Sequence, residues 1–329
     1  MKYSFIVPVF NRPDEVNELL ESLCQQSVRD FEVLVVEDGS SIPCRDVVDR
    51  YKGQLDVHYF EKPNSGPGQT RNFGVERARG EFVLILDSDV VVPPGYLAAV
   101  TAELEQAPCD AFGGPDRAHP SFTPIQKAIN YAMTSFFTTG GIRGGKKKMD
   151  KFYPRSFNMG VRTEVYRQLG GFSEMRFGED IDFSTRIFEN GYRCRLFPEA
   201  WVWHKRRTDL RKFFKQVHNS GIARINLTKR HPGTLKLVHL LPAAFTAGCA
   251  VLLLGAPFCL WSLLPLGLFA ALIFADATRQ ERSLYVGLLA IAAAYVQLIG
   301  YGSGFLRAWW QRCVLGRGEF DAFRKNFYK

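Results

Sequence analysis

The chain has 329 residues, a formal net charge of +9, and 46% apolar and 13% aromatic residues. This composition excludes disordered, collagen-like and disulfide-stapled proteins, and the length allows a sizeable core. The seven cysteines stand at scattered spacings without a C-x-x-C pair. They indicate neither a zinc site nor a disulfide framework, and they fit a reducing compartment.

Four short apolar runs in the first 90 residues predict the strands of a parallel sheet. They are rich in Val, Ile and Phe, and each is followed by turn residues and then a helical stretch, as in α/β proteins. No charged and apolar leader precedes the first run, so we expect this part of the chain to stay in the cytosol. The runs are Phe5 to Val9, Phe31 to Val36, Val57 to Phe60 and Phe82 to Leu86.

Prolines, acids and helical periodicity predict where the helices lie. Gly191 is the expected C-terminal cap of the last helix before the basic region. The Gly- and Lys-rich stretch 138–148 is typical of a loop, and it could be a lid or a simple connection. Helices are expected from Pro13, after Pro93-Pro94-Gly95, over about 162–169 and over about 180–190.

Two carboxylates follow the last of the four strands. Asp87 and Asp89 flank Ser88, and positions i and i+2 of an extended chain point to the same side. Both carboxylates could therefore hold one Mg²⁺ or Mn²⁺ ion and leave coordination positions open for a diphosphate. The alternative is a turn in which these acids only cap the following helix.

Three other polar segments accompany this pair. Residues 37–40 end the second strand in two acids and a glycine, and residues 64–74 form a Gly-rich turn before a helix with Arg71 and Asn72. Residues 178–182 place three acids at a helix start, where the helix dipole stabilises negative charge. That last group could equally be a helix N-cap.

Taken in order, these motifs resemble the family-2 glycosyltransferases of the GT-A fold, over residues 3 to about 207. The resemblance implies an α/β fold, a Rossmann-like, mostly parallel mixed sheet flanked by helices. The matching motifs are Val7-Pro-Val-Phe-Asn-Arg12, Glu37-Asp-Gly-Ser40, Asn64 to Gly74, Asp87-Ser-Asp89, Gly113-Gly-Pro115, Phe157-Asn-Met-Gly160 and Gly178-Glu-Asp180.

The resemblance also implies roles for individual residues. Asp180 would be the general base of an inverting transfer, and Glu179 would help to shape the acceptor site. Asp89, together with Asp87, would hold the metal and the diphosphate, and His204 stands where some relatives place a metal or diphosphate ligand. Glu37 occupies a position where Asp is commoner. The donor nucleotide would be bound by Pro8, Asn11, Glu37, Asp38, Arg71, Asn72, Asp87 and Ser88.

Two other functions fit parts of the sequence. Gly66-Pro-Gly68 begins like a dinucleotide-binding turn, with Asp87 at about the expected distance, but Arg71 stands where the closing glycine is needed. A catalytically inactive membrane scaffold with the same fold is the second alternative, disfavoured because the acid pair and the base are both present. The Gln-x-x-Arg-Trp motif of processive synthases is absent, which favours transfer of one sugar per encounter.

The C-terminal third contains the membrane signals. Residues 237–275 and 284–306 lack Asp, Glu, Lys and Arg, which is enough chain for two or three spans broken near Gly255. Residues 205–236 hold ten Lys or Arg against one acid, which predicts a basic helix at about 209–230 on an anionic membrane surface. Nucleic acid is not an expected partner, since no nucleic-acid module accompanies these charges.

Three spans would put the end of the chain outside the cell, whereas the basic residues after position 306 favour a cytoplasmic end and hence two effective crossings. A re-entrant segment among the first two would be one way to reconcile the two signals. We expect four parts: a catalytic domain over 1–207, a basic amphipathic linker helix over 208–236, a transmembrane region over 237–306 and a basic tail over 307–329. The expected protein is a metal-assisted enzyme of the cytoplasmic membrane, with its catalytic domain in the cytosol. Its partners would be a UDP- or GDP-linked sugar, membrane lipids and a lipid-linked or polysaccharide acceptor.

Overall fold

The computed structural model describes residues 1–140, 152–205 and 207–320. These residues form two compact units. The first contains residues 1–117, 152–205 and 320, and the second contains residues 118–140 and 207–319. From position 141 onward, the loop predicted over 138–148 lies outside the described residues.

The first unit is built on a seven-stranded mixed sheet with the order β3-β2-β1-β4-β8-β6-β9. The four predicted strands are its parallel half, and a second sheet of three strands has the order β5-β10-β7. The strands are β1 (Tyr3–Val9), β2 (Phe31–Asp38), β3 (Val57–Lys62), β4 (Phe82–Leu86), β5 (Val90–Val91), β6 (Ala111–Gly113), β7 (Asp116–Arg117), β8 (Asn158–Arg162), β9 (Cys194–Leu196) and β10 (Val202–His204).

In the first unit, helices begin where the sequence predicted them, and the structure contains further helices that the sequence did not predict. Helices begin at Pro13, after Pro93-Pro94-Gly95 and near 162 and 180, as expected. They are α1 (Pro13–Cys24), α2 (Arg45–Asp49), α3 (Pro67–Arg77), α4 (Tyr96–Gln106), α5 (Pro124–Thr134), α6 (Phe136–Thr139), α7 (Thr163–Gln168), α8 (Glu179–Glu189), α9 (Leu210–Arg230), α10 (Leu241–Gly255), α11 (Leu264–Glu281) and α12 (Leu284–Trp309).

Alternation along the central strands divides the core of the first unit into two layers. Phe5 and Val7 of β1 pack into one apolar cluster, whereas Ile6 packs into the other. In β2, Val33 and Leu34 separate in the same way. Successive side chains of a strand point to opposite faces, so runs that are apolar at every position require cover on both faces. The expected α/β sheet flanked by helices is confirmed.

The second unit contains, among the described residues, three apolar helical stretches long enough to cross a membrane: Leu237–Gly255, Leu260–Glu281 and Leu284–Val314. The break after Gly255 lies where the sequence predicted it. The predicted basic helix is α9, which Asp209 caps by accepting a hydrogen bond from the Lys212 backbone N–H at 2.7 Å. These stretches suggest that the chain associates with a membrane.

Glycines set the contact between α9 and α12. A Cβ at Gly221 of α9 would lie 2.1 Å from the carbonyl oxygen of Tyr301, and a Cβ at Gly304 of α12 would lie 2.0 Å from that of His218. Side chains at these positions would push the backbones apart, so the two helices approach closely only because both residues are glycine.

We expect Gly221→Ala to destabilise the second unit by roughly 1–3 kcal/mol, the usual cost of overpacking, despite the better helix propensity of alanine. The measurement is the thermal unfolding midpoint of the detergent-purified protein. Gly248→Ala is the matched control, because a Cβ at Gly248 of α10 would meet nothing within 4 Å. An unchanged midpoint for Gly221→Ala would show that α9 and α12 are not held at this distance.

Candidate active site

The polar residues predicted to act together lie at the carboxyl ends of neighbouring strands. β1 pairs in parallel with β2 and with β4, and its register places Val9 beside Glu37. Asn11, Asp38 and Asp87 follow or end these three strands. Because parallel strands end at the same edge of a sheet, the fold brings these segments to one edge, where α/β proteins bind ligands.

Asp87, Asp89 and His204 form a cluster that could hold a metal ion. One ligand atom of each residue lies within 4.8 Å of the others. The small sheet produces this arrangement, because β10 pairs antiparallel with β5 and places His204 opposite Val90. Carboxylate oxygens and an imidazole nitrogen suit Mn²⁺ or a similar divalent ion.

Two buried polar atoms of this cluster have no hydrogen-bond partner among the described residues. They are Oδ1 of Asp89 and Nδ1 of His204. The other oxygen of Asp89 accepts a hydrogen bond from Nη1 of Arg12 at 2.7 Å, and Nε2 of His204 lies 3.4 Å from Asp89 Oδ1. Burial of such atoms is unfavourable unless a partner is bound, so the residues present fit a cation.

The pKa of Asp89 reflects these neighbours. Burial raises it, but the interactions with the nearby His204 and Arg12 outweigh burial and bring the pKa of Asp89 well below its usual range. Asp89 is therefore a carboxylate at neutral pH, the form in which it can ligate a metal.

Arg71 connects the acid pair with the acids at the start of α8. Its guanidinium is buried and lies 2.7 Å from Asp87 Oδ1 and 3.0 Å from Glu179 Oε1. Burial and the nearby charge of Asp180 raise the pKa of Glu179 to about 7, although Arg71 acts in the opposite direction. Arg71 therefore holds two acidic residues from different elements in fixed positions.

Asp180 lies in the first turn of α8 and is largely buried. Its Oδ2 lies 2.8 Å from Nε of Arg155, and its Oδ1 accepts a hydrogen bond from the backbone N–H of Ile181. Gly178 starts the helix with φ 86°, a conformation that glycine adopts without strain. Asp182 pairs instead with Arg186 at 3.0 Å, one turn along the helix.

At the end of β2, Asp38 binds groups of the protein itself. Asp38 accepts hydrogen bonds from the backbone N–H groups of Ser65 and Gly66, both at 2.9 Å, and from Lys62 at 2.7 Å. These contacts fix the Gly-rich turn next to the end of β2.

Both oxygens of Glu37 are also occupied. Oε1 accepts from Ser40, and Oε2 accepts from the backbone N–H of Cys44 at 2.9 Å and from the Tyr59 hydroxyl at 3.1 Å. Ser40 in turn accepts from the backbone N–H of Asn11 at 2.8 Å. Glu37 thus supports the loop that contains Asn11.

Among the remaining predicted residues, Pro8 lies near the end of β1 and Ser88 is buried between the two acids. Asn72 on α3 is tied to the protein, since its Oδ1 accepts from the Tyr166 hydroxyl at 2.7 Å and its Nδ2 donates to the carbonyl of Phe172 at 2.8 Å. All predicted site residues belong to the first unit.

Arg12 and Arg155 each bind one of the predicted acids, but sequence patterns assigned a role to neither. Arg12 was visible only as the last residue of the first motif, and its partner Asp89 is 77 positions away. Arg155 precedes the Phe157 motif by two positions. Local patterns do not indicate ion pairs at such separations.

A second group of acids with a histidine, Glu32, Asp56 and His58, is also close enough to hold an ion. Here Arg79 lies 2.7 Å from both Glu32 and Asp56 and supplies positive charge. No side-chain atom of this group is buried without a hydrogen-bond partner among the described residues, so the group fits a metal less well than the Asp87 cluster does.

We expect Glu37→Asp to lower thermal stability by roughly 1–3 kcal/mol, because the shorter acid cannot reach all its donors and leaves buried groups unpaired. The measurement combines thermal unfolding with nucleotide titration. Glu61→Asp is the control, since Glu61 also accepts from Tyr59 but is exposed. Weaker nucleotide binding at unchanged stability would instead mean that Glu37 contacts the nucleotide directly.

Comparison with known proteins identifies relatives of this site. Residues 4–170 match the model of the family described as glycosyl transferase family 2. The pre-mycofactocin glycosyltransferase of Mycobacterium tuberculosis is 29% identical over 236 residues, which cover 69% of this chain and 47% of the relative. The poly(ribitol-phosphate) beta-N-acetylglucosaminyltransferase TarS of Staphylococcus aureus is 37% identical over 110 residues, 32% of this chain and 19% of the relative. The chain therefore spans about half or less of these curated relatives.

Solved structures show the same fold. The mannosyltransferase PcManGT from Pyrobaculum calidifontis, in complex with GDP-Man and Mn²⁺, has a TM-score of 0.64 at 20% identity, covering 90% of this chain and 87% of its own. S. aureus TarS 1–349 in complex with UDP-GlcNAc has a TM-score of 0.50 at 20% identity. The match covers 96% of this chain and 93% of the TarS chain. At these identities the likeness concerns the fold, which is of the GT-A type.

Proposed function

The chain belongs to glycosyl transferase family 2, and on that basis we propose that it moves one sugar from a nucleoside diphosphate sugar to a hydroxyl group, with inversion at the anomeric carbon. The observation that carries this proposal is the Asp87, Asp89 and His204 cluster, in which two buried atoms make no hydrogen bond to the residues that the structure describes. A separate carboxylate, that of Asp180, is held by Arg155 at the start of α8 and is our candidate for the proton transfer. Because the chain belongs to this family, the alternative of a nicotinamide-dependent oxidoreductase is set aside.

A divalent ion, Mg²⁺ or Mn²⁺, is proposed for the cluster. Asp89 and Asp87 would ligate it, with His204 as a further ligand, and the ion would supply positive charge to the leaving diphosphate. The Mn²⁺ in the solved mannosyltransferase supports this choice, since the two proteins share a fold. In the protein itself, Arg12 orients Asp89 by holding Oδ2, which leaves Oδ1 for the ion.

The donor nucleotide is proposed to lie along the carboxyl ends of β1 and β2. Asn11 and Asp38 would contact the base there, and the turn fixed by Asp38 would border the ribose and phosphates. Arg71 would act mainly by orienting Asp87 and Glu179, since its guanidinium is buried between them. The neighbours with GDP-Man and UDP-GlcNAc support a GDP- or UDP-linked sugar.

Asp180 is proposed as the general base. As the acceptor oxygen forms its bond to the anomeric carbon and the bond to the diphosphate breaks, the hydroxyl proton passes to the Asp180 carboxylate. Arg155 would hold this carboxylate in place, because it binds Oδ2 at 2.8 Å. Glu179, whose pKa is about 7, would shape the acceptor side as a partly protonated neighbour.

The acceptor is proposed to be a lipid-linked or polysaccharide glycan at the cytoplasmic face of the membrane. Support comes from the three apolar stretches in the same chain and from the basic helix α9 that precedes them. A polymer acceptor is named for one relative, the poly(ribitol-phosphate) transferase TarS.

Replacement of the metal-binding acid tests the donor site. We expect Asp89→Ala to weaken binding of the preferred nucleotide by more than about tenfold in Mn²⁺, because a buried ligand is lost, and to abolish the difference between Mn²⁺ and EDTA. The measurement is calorimetric titration of UDP and GDP against the purified protein. Asp49→Ala, an exposed acid paired with Lys52, should bind as the wild type does. Metal-independent binding by the wild type would refute the metal site.

Replacement of the proposed base tests the chemistry. We expect Asp180→Asn to bind the nucleotide normally and to lose transfer by roughly 10²–10⁴-fold, the usual contribution of a general base. Transfer is followed as nucleoside diphosphate released in the presence of a total lipid extract. Asp182→Asn, next to Arg186, should keep most of its activity. Wild-type transfer by Asp180→Asn would show that another group is the base.

A further inference from the structure

The segment of α5 and α6 belongs to a different unit from the strands on either side of it in the sequence. β7 precedes it and β8 follows it in the first unit, but residues 118–140 belong to the second unit. Ala128 and Ala132 of α5 are fully buried in the apolar cluster that also contains Ala290 of α12 and Ile273 of α11. The segment is therefore packed against the apolar helices.

The start of α5 has a clear local cause. Thr123 and Gln126 form a capping box, in which the Thr123 side chain accepts from the Gln126 backbone and Gln126 binds back to the Thr123 N–H. Pro124 occupies the first turn, where its missing N–H costs nothing. These contacts fix Pro124 as the first residue of α5.

Polar contacts fix how α5 lies on its neighbours. The Tyr131 hydroxyl donates to Oδ2 of Asp276 on α11 at 2.6 Å, and Gln280 donates to the same oxygen at 2.9 Å. Lys127, one turn before Tyr131, acts electrostatically on Glu281 at the end of α11. A carboxylate in an apolar helix needs such partners, so Tyr131 and Asp276 specify this docking.

The end of the segment exposes large apolar side chains. Phe136 is 71% exposed and Phe137 is 39% exposed, although both belong to a four-residue helix that is packed at Thr138. Gly140, which ends α6 with φ 62°, lies against Val238, since a Cβ there would be 3.0 Å from its side chain. Val238 belongs to the beginning of the first apolar stretch.

Both apolar and basic residues lie close to the two phenylalanines in the structure or along the chain. Leu237, next to Val238, is 76% exposed, so the apolar surface continues from α6 into a stretch that could cross a membrane. Lys236 lies just before this stretch, and α9 ends in Lys229 and Arg230. Apolar side chains next to basic ones are typical of the boundary between lipid headgroups and acyl chains.

We propose that α5 and α6 form a membrane-anchoring element within the catalytic half of the sequence, and that Phe136 and Phe137 insert into the bilayer at the headgroup boundary. The partner is a lipid surface with anionic headgroups. The inference rests on membrane placement of the apolar helices and is independent of the identity of the sugar donor.

The experiment measures where position 136 lies in the full-length protein reconstituted in nanodiscs of phosphatidylcholine and phosphatidylglycerol. A nitroxide label is attached to the cysteine of the Phe136→Cys variant. In this variant the exposed Cys259 and Cys313 are replaced by serine, and the signal of the protein with only these two replacements is subtracted. Collision of the label with oxygen reports lipid, and collision with a water-soluble nickel chelate reports water. Phe137→Cys gives a second reading, and nucleotide binding confirms that each labelled protein is folded.

Two control positions calibrate the reading. Leu254→Cys lies on α10 at a side chain that is 74% exposed, and Lys52→Cys lies on the surface of the first unit. The measured quantity is the ratio of collisions with oxygen to collisions with the nickel chelate. We expect this ratio at position 136 to approach the ratio at position 254 and to exceed the ratio at position 52 several-fold.

Three results would overturn the inference, each in a different way. A water-like ratio at 136 with a lipid-like ratio at 254 would leave the helices in the membrane but place α6 outside it. Few collisions with either reagent at 136 would mean that protein, such as a second copy of the chain, covers the phenylalanines. Water-like ratios at both positions would refute the membrane placement itself, without affecting the proposed transferase activity.

Discussion

The candidate site depends on the charge balance among four carboxylates that the fold brings to one region. Asp87 and Glu179 share Arg71, Asp89 binds Arg12, and Asp180 binds Arg155. Like charges in a partly buried site repel one another strongly unless cations lie between them. These guanidinium groups come from three separate parts of the chain, and each fixes the orientation of the acid it binds.

This balance also indicates where a further cation belongs. Three guanidinium groups lie against four carboxylates. Among the described residues, Asp89 Oδ1 and His204 Nδ1 are buried without a hydrogen bond, and their ion-pair contacts are longer, 3.4 Å to His204 Nε2 and 3.9 Å to Asp116 Oδ2. Burial and the nearby charge of Asp180 raise the pKa of Glu179, while Arg71 lowers it. Asp180 is bound by a different cation, Arg155. The same network thus binds the proposed metal ligands and the proposed base through different arginines.

Much of this arrangement could be predicted from the sequence, because it depends on local patterns and a general rule of sheet geometry. Continuous apolar runs predicted the four parallel strands, and residues after parallel strands must meet at one edge. The pairings of Arg12 and Arg155 could not be predicted, since they depend on tertiary contacts. α5 did have a local signal, Thr123-Pro124 with Gln126, but its packing depends on Asp276, more than a hundred positions away.

The apolar helices show why composition alone could not describe the second unit. The three stretches are similarly apolar but differ in burial. Of the 18 most apolar consecutive residues in each stretch, 11% are buried inside the protein in the first two stretches and 39% in the third. The third stretch differs in its small residues: Gly304 lets α9 approach, and Ala290 and Ala294 pack in the cluster shared with α5. Its charge-free sequence thus serves contacts between helices as well as contacts with lipid. A charge-free run therefore predicts that a helix is apolar on every face, and small residues at helical spacing indicate which of those faces meets protein.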